Sequence, residues 1–408
     1  MTPPKPVLAI VSPFIDKRHG TERRIAEWTS QLSGEFDVHV YSQRVEDLDL
    51  TTLTWHRIPK IPGPHLVNFL WWLTANHLWR WYDHRFRGIA HDLVFTAGTN
   101  CLDADAISIH IVFAEFVRQV RSETKFRRNS ILSWPRLIHR RLYYRLITLL
   151  ERHLYTRPRA QLILIARKTA EDLNRFYGPH DVLPVLYMGI DHTTFNPQLR
   201  VASRDEARRA LGIRDEQFVL LLVGNDWRKK GLCTLLDALP VLADRQVLLL
   251  VVGDDEKYSY QKQIQRYGLS DRVRFLPSRQ DVASYYAAAD AYIGPSLEDT
   301  FAQPPAEAMA CGLAVITSVT NGTAEIITDG VDGLIVQDPN DPKELATQIR
   351  RVCEDSNFRR QLGENAAHTS LRYTWDQNGV QMKEIFTNML RHKKARAGTQ
   401  SATNSNKG

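Results

Sequence analysis

The sequence predicts an α/β protein of two Rossmann-like parallel-sheet domains facing a central cleft. Three observations lead there. Short β-branched runs alternate with helical stretches along almost the whole chain, which is the pattern of strands joined by crossover helices. The length, 408 residues, exceeds what one hydrophobic core usually serves. The alternation lapses once, in MGIDHTTFNPQLRVASRDEARRALG, where strand character is lost, Pro197 intervenes and a helix follows. A linker near residues 190 to 203 is therefore expected to divide the halves.

In the first half the strand runs are VLAIVSP (7 to 13), DVHVYS (37 to 42), DLVFTAG (92 to 98), AISIH (106 to 110) and QLILIA (161 to 166). In the second half they are FVLLLVG (218 to 224), VLLLVVG (247 to 253), RVRFLP (272 to 277), AYIGPS (291 to 296), LAVITS (313 to 318) and GLIV (333 to 336). The expected division is a first domain over 1–195, a second over 204–372 and a closing segment over 373–390. From Arg391 the chain turns basic and then rich in Ser, Thr, Asn and Gly, with nothing to bury, so 391–408 reads as a disordered tail.

Composition sets the class. With 43% hydrophobic and 24% charged residues, the chain is of globular type and neither wholly disordered nor polytopic. Cys101, Cys233, Cys311 and Cys353 lie too far apart for a paired metal knuckle, so they read as reduced and structural. MTPPKPVLAIVSPF reads as a first strand and not as a signal peptide, which makes a cytoplasmic protein the expectation.

The net charge of +7 is local in origin. Residues 118 to 159 hold twelve Arg or Lys against Glu123 and Glu151 alone. Within them Arg141, Arg145 and Arg152 share one helical face beside an apolar arc of Ile138, Leu142, Leu146 and Leu149. Two readings stand: a solvated helix face, or a seat for an anionic acceptor or an anionic membrane surface. No motif for nucleic acid accompanies the charge, and no nucleic-acid partner is expected. The segment LVNFLWWLTANHLWRWY (66 to 82) is too interrupted by Asn68, Asn76, His77 and Arg80 to span a bilayer. Leu66, Phe69, Leu70 and Leu73 make its expected core stripe. Trp71, Leu78 and Tyr82 form a second stripe, either buried between elements or anchored at headgroups.

The most informative stretch is SLEDTFAQPPAEAMACG (296 to 312). Pro304 and Pro305 fix φ where a helix begins, and Gly312 closes it. Such a start directs unpaired N–H groups and the positive end of the helix dipole at the preceding loop, where a phosphate is favoured. Asp299 and Glu307 flank that seat with carboxylates suited to sugar and ribose hydroxyls; the plainer reading is a helix-charge arrangement. VGNDWRKKGL places Lys230 at a helix start near a strand end, where an ammonium meets a diphosphate or is merely solvated. His110 ends the strand AISIH, which suits a functional or a structural histidine. Gly20 in RHGTERR permits close backbone approach to a phosphate, as any turn glycine does. The absence of GxGxxG argues against NAD or FAD.

Taken in this order, the motifs resemble family-4 glycosyltransferases of the GT-B fold (glycosyl transferases group 1), and the resemblance runs to about residue 390. The family pattern PS-x-x-E-x-F-x-x-P-x-x-EAMA-x-G is matched by PSLEDTFAQPPAEAMACG. By resemblance Glu307 holds the donor ribose. The first glutamate falls on Asp299, one methylene shorter, with Glu298 before it as the alternative. Phe301, Ala302 and Gln303 complete the loop. The family's diphosphate pair, an Arg after the strand glycine and a Lys five residues on, falls on Asn225 and Lys230, with Arg228 the substitute cation. YMGIDHTTFNP resembles the family's hinge segment, with Met188 in place of Asn. NGTAEIITDGVDGLIV brings Glu325 to the base or ribose side. YTWDQNGVQMKEIF looks like the helix that crosses back to the first domain.

The resemblance implies transfer of a sugar from a nucleoside diphosphate to an acceptor hydroxyl with retention, with Lys230, Asp299 and His110 in catalytic roles and no metal or other cofactor required. The nucleotide sugar is then a co-substrate, and the acceptor a glycan or lipid-linked molecule of a cell-surface polysaccharide or lipopolysaccharide pathway, handled at the inner face of the membrane. The rival readings are a GT-B epimerase or phosphorylase, which needs no hydroxyl acceptor, and a non-catalytic basic scaffold.

Overall fold

The computed structural model describes residues 4–17, 20–120, 134–156, 159–242, 246–279 and 281–405. It divides into two compact units, 1–187 with 376–408, and 188–375. The division falls ahead of the expected linker, because half of that stretch is helical. Asn196 caps a helix there by accepting the Leu199 N–H at 2.8 Å, and Pro197 opens it.

The first unit contains β1 (Val7–Val11), β2 (Phe14–Ile15), α1 (Gly20–Leu32), β3 (Asp37–Ser42), β4 (Arg44–Val45), β5 (Thr54–Arg57), α2 (His65–Arg87), β6 (Leu93–Ala97), β7 (Ala106–Ile109), α3 (Phe113–Gln119), α4 (Trp134–Tyr155), β8 (Gln161–Leu164) and α5 (Arg167–Tyr177). Its parallel sheet runs β5-β3-β1-β6-β7-β8, the doubly wound Rossmann order, with β2 and β4 paired beside it. The edge strand β5, TWHR, is short and polar and gives no β-branched run to read.

The second unit contains α6 (Pro197–Ala210), β9 (Phe218–Val223), α7 (Leu232–Ala238), β10 (Val247–Val252), α8 (Tyr258–Arg266), β11 (Val273–Leu276), α9 (Ala283–Ala288), β12 (Ala291–Gly294), α10 (Gln303–Ala310), β13 (Ala314–Ser318), β14 (Leu334–Val336), α11 (Pro342–Glu354) and α12 (Ser356–Ser370). The order β11-β10-β9-β12-β13-β14 repeats the Rossmann arrangement. β10 is buried along its whole length, as a central parallel strand requires.

The closing helix α13 (Trp375–Ser405) places Met382, Phe386 and Leu390 in the first unit's core with Leu8, Trp28 and Phe95. The residues after 390, expected to be disordered, continue this helix to Ser405. Extending a formed helix is far easier than starting one, and Lys393 is held by the Asp92 carbonyl at 2.9 Å and the Asp105 carboxylate at 2.7 Å.

Two helices of the first unit differ from expectation. On α2 the buried face is Trp72, Leu73, Ala75, Asn76, Arg80 and Asp83, while Leu70 and Leu78 are exposed. The polar members of that face each find partners, although the Arg80 Nε is left unpaired. Arg80 pairs with Asp103 at 2.6 Å, Asn76 Nδ2 donates to the Trp72 carbonyl at 2.7 Å, and Asp83 accepts from the Tyr41 hydroxyl at 2.8 Å and lies 2.7 Å from His56 Nδ1. On α4 the arc expected to pack is turned outward: Ile138, Leu142 and Leu149 are exposed, and Leu137, Ile147, Glu151, Leu154 and Tyr155 are buried.

Glu151 ties α4 to the start of α3. Its carboxylate accepts the Phe113 and Ala114 N–H groups at 2.7 and 3.0 Å and the Tyr177 hydroxyl at 2.7 Å. Burial lifts its pKa from 4.5 to about 7 against these donors. The folded chain thus holds this proton more tightly than the unfolded one. The resulting stability is fully present below pH 4.5 and is lost as pH rises through about 7. In denaturant titrations Glu151→Gln is expected to flatten the stability–pH profile across that window, by up to about 1.4 kcal/mol per pH unit for one proton.

Candidate functional site

The second unit gathers its candidate residues at the carboxyl ends of β9, β12 and β13, where open parallel sheets bind ligands. After β9 the chain turns through Gly224 and Asp226, both at positive φ, and reaches Gly231 at φ 80°. Only glycine fits at 231, because a Cβ there would stand 2.0 Å from the Pro295 carbonyl oxygen. Leu297 N–H donates to the Lys229 carbonyl at 2.7 Å, which stitches the two loops together. The Lys230 stem lies over Gly224, with Cε 3.0 Å from where a Cβ would be, and its ammonium forms an ion pair with Asp299 Oδ2.

Asp299 is fixed through its backbone. It donates to the Thr320 carbonyl at 3.1 Å and accepts from Gly322 N–H at 3.0 Å. It is Asp299, and not the preceding Glu298, that meets Lys230. Glu307 lies buried on α10, where Oε2 accepts the Tyr286 hydroxyl at 2.7 Å. Burial and the Glu307 charge keep Tyr286 well above its ordinary pKa, so the hydroxyl stays a donor.

The start of α10 is assembled as the Pro304-Pro305 pair implies, with both prolines in its first turn and no side-chain cap on Ala302. Of the N–H groups at this start, expected to be unpaired, that of Ala302 is not: it donates to Asn321 Oδ1 at 3.3 Å, and the Ala302 carbonyl accepts from Thr323 Oγ1. Gln303 Nε2 donates to the Gly189 carbonyl at 3.2 Å, while its Oε1 is buried without a partner. Phe301 is buried beneath this loop. Asn225 does not replace the missing arginine by charge: its Oδ1 accepts the Asp254 N–H at 2.8 Å and joins the loops after β9 and β10. Arg228 is exposed on the turn that carries Lys230, and Glu325 sits half-buried in the short 3-10 helix Gly322–Ile326.

The remaining candidates belong to the first unit. Gly20 is the first residue of α1, and a Cβ there would touch nothing within 4 Å, so packing does not demand a glycine. His110 follows β7 with Nε2 3.0 Å from Ser108 Oγ. Burial, aided by the Arg24 charge, pushes its pKa well below the usual value, so the imidazole is neutral. Arg24 is itself fully buried and stacked 4.2 Å over Trp28.

Among the described residues, His77, Cys101 and Asp103 come close enough to share a metal. The Arg80 guanidinium already lies on this group, 2.6 Å from Asp103 and 3.4 Å from Cys101 Sγ, and supplies the cation. Sequence reasoning missed Tyr286 and Asn321. Tyr286 gives no signal, since its partner is far along the chain; Asn321 was within the quoted NGTAEI run, where an Asn before Gly marks a local side-chain turn.

Two Rossmann-type sheets, with a lysine, a carboxylate and a proline-opened helix meeting at the strand ends of one, define a protein of the GT-B fold. Residues 203–369 match the family model of glycosyl transferases group 1, and the second unit belongs to that family. The chain is 29% identical over 244 residues to a D-inositol 3-phosphate glycosyltransferase of Xylanimonas cellulosilytica, covering 58% of each. It is 31% identical over 169 residues to the lipopolysaccharide glucosyltransferase WaaG of Escherichia coli, covering 41% of this chain and 45% of that one. The match thus spans about half the length of these curated relatives. Among solved structures, a WaaG crystal structure superposes with TM-score 0.73 at 21% identity over 93% of this chain and 99% of that one. Anabaena HepE in complex with UDP and glucose gives 0.68 at 20% identity over 94% and 100%. At these identities the likeness establishes the fold.

Gly231→Ala is expected to force the Pro295 carbonyl away and to lower stability by about 1 to 3 kcal/mol or more, as a side chain at positive φ does. The drop will be read in the unfolding midpoint, where an unchanged value would mean that the two loops are not locked together.

Proposed function

We propose that the protein is a retaining glycosyltransferase that moves a sugar from a nucleoside-diphosphate sugar to a hydroxyl of a glycan or lipid-linked acceptor in cell-surface polysaccharide or lipopolysaccharide synthesis. The observation that carries this reading is the meeting of Lys230 with Asp299 beside the start of α10, within a group 1 domain whose Glu307 is oriented by Tyr286. A WaaG relative named for lipopolysaccharide and a HepE neighbour solved with UDP and glucose support it.

In this reading the bond from the anomeric carbon to the β-phosphate oxygen breaks as the acceptor oxygen bonds on the same face. The leaving phosphate takes the acceptor proton. Negative charge grows on that phosphate, where the Lys230 ammonium, the Gln303 N–H and the positive end of the α10 dipole stabilise it. Glu307 accepts ribose hydroxyls, and Asp299 accepts hydroxyls of the sugar. The cation at the phosphate is a side chain, so no divalent metal is required. A thermal-shift panel of UDP, GDP, ADP and their sugars tests the reading: one nucleotide should raise the midpoint, by about 2.7 kcal/mol of stabilisation at 100 times its dissociation constant, and Glu307→Ala should abolish the rise. No shift with any nucleotide would sink the proposal. Lys230→Ala is expected to cut turnover roughly 100-fold or more, with wild-type turnover indifferent to EDTA.

The proposal includes peripheral attachment to an anionic membrane at the inner face. No helix among the described residues is long and apolar enough to cross a membrane, yet α2 exposes Trp81 (58%) and Phe86 (61%), and α4 exposes Leu142 (54%) and Leu149 (58%). Arg85 and Arg87 on α2, and Arg141, Arg145 and Arg152 on α4, accompany them. Aromatic anchors set among cations are what an anionic headgroup layer holds. Co-sedimentation with phosphatidylglycerol vesicles at low salt should be strong, and it should fall on adding salt or in Trp81→Ser/Phe86→Ser; equal recovery with neutral vesicles would refute it.

A further inference from the structure

The second unit contains a cavity of about 580 Å³ between α6, the start of α12 and the residues that lead into β12 and β13. That is the size of a small-ligand site. Its lining residues Asp290 and Ala314 lie at the amino ends of those two strands, whereas Lys230, Asp299 and the start of α10 gather at the carboxyl ends. The strands are four and five residues long, so at about 3.3 Å per residue roughly 15 Å of sheet separates the two places.

Four arginines and two carboxylates line the cavity: Arg200, Arg204, Arg359 and Arg360, with Asp290 and Glu364. Both carboxylates are already engaged. Asp290 pairs with Arg204 at 2.6 Å and with Arg208 at 3.4 Å, and it accepts the Val219 N–H at 2.8 Å. Glu364 pairs with Arg360 at 3.2 Å. Arg200 and Arg359 form no ion pair among the described residues, so the lining carries two uncompensated positive charges.

These two guanidinium groups are fixed without being neutralised. Arg200 Nη2 donates to the Ala289 carbonyl at 3.1 Å; its Nε is sealed from solvent, while its Nη1 is neither bonded nor sealed. Arg359 Nη1 donates to the Val352 carbonyl at 2.6 Å, and its guanidinium lies 5.1 Å over the Phe218 ring. Burial and the charges of Arg204 and Arg359 push Arg200 below its ordinary pKa. The three cations thus act on one another across the cavity and lack an anion between them. Pre-positioned guanidinium forks match phosphate oxygens better than any other common anion-binding side chain. A phosphate monoester carries about −2 near neutral pH, which equals the uncompensated charge.

We infer that this cavity is a phosphate site separate from the one at the strand ends, in which Arg200 and Arg359 hold the phosphate group of a small molecule or the free anion. The inference rests on the arginine geometry and not on the transferase reading.

Equilibrium dialysis of full-length Lys230→Ala against inorganic phosphate, at ionic strength held constant with chloride, tests it with the strand-end cation removed. One saturable phosphate per chain should remain. Adding Arg200→Gln or Arg359→Gln to that chain should weaken it at least tenfold, with circular dichroism reporting that each variant is folded. Two variants on different helices keep the test open if one of them fails to fold. Glycerol 3-phosphate as competitor separates the sources: displacement of phosphate assigns the site to a phosphate ester, and retention assigns it to the free anion. Absence of a saturable site in Lys230→Ala, or unchanged affinity in a folded Arg200→Gln or Arg359→Gln chain, overturns the inference.

Discussion

The second unit's site depends on one backbone contact, the approach of Gly231 to the Pro295 carbonyl. Strand β9 and strand β12 are neighbours in the sheet, but their following loops diverge unless something draws them together. A residue with no side chain at 231, at φ 80°, lets the β9 loop pass close to the β12 loop. Lys230 is thereby carried over Gly224 to Asp299. Gly253, at φ 150°, does the same between the loops after β10 and β9, where a Cβ would be 2.4 Å from the Gly224 carbonyl oxygen. Side-chain chemistry at the strand ends is thus positioned by backbone that only glycine can supply.

The first unit solves a different problem. Its helix α2 buries Asn76, Arg80 and Asp83, each of which would be costly without partners. Tyr41, His56, Asp103 and backbone carbonyls provide those partners, so the polar stripe docks the helix in a single register. Burial pushes His56 below its ordinary pKa and Tyr41 above its own, which keeps both neutral around the Asp83 charge. With its polar face inward, α2 leaves aromatic side chains outside. The exposed Trp81 and Phe86 follow from the same rotation of the helix that buries Arg80.

That rotation also marks where the sequence stops being readable. Parallel strands announce themselves as dense β-branched runs, and eleven of them stood out; TWHR and the two-residue β2 and β4 are too short or too polar to do so. The motif residues Lys230, Asp299 and Glu307 were legible because local turns place them. The buried faces of α2 and α4 were not, because an apolar periodicity favours Leu66, Phe69 and Leu70, whereas the true register is decided by ion pairs with residues such as Asp103 that lie far along the chain. Tyr286 was invisible for the same reason: its meaning depends on a contact across the fold. The helix beyond residue 390 was missed because composition reports what a segment can bury, and here the segment is extended from a helix already packed.

Two departures from the group 1 pattern, Asn225 and Asp299, bear on one another. With asparagine at the strand end, Lys230 is in the proposed reading the cation that the motif supplies to the phosphates, and it is also the counter-ion of Asp299. Paired in this way, lysine and carboxylate contribute no net charge to the site. An ammonium has three donors, however, and one ion pair leaves others for a phosphate oxygen. The balance of stabilisation then moves to the amides at the start of α10, which carry partial positive charge without a counter-ion. Because Ala302 is engaged by Asn321 and Pro304 and Pro305 have no N–H, that role falls in the proposed reading to the Gln303 amide. A glutamate at 299 would reach about 1.5 Å further, by one carbon–carbon bond; aspartate stays against Lys230. In the proposed reaction the sugar hydroxyls therefore approach the ion pair itself, which couples recognition of the sugar to the same ammonium that steadies the departing phosphate.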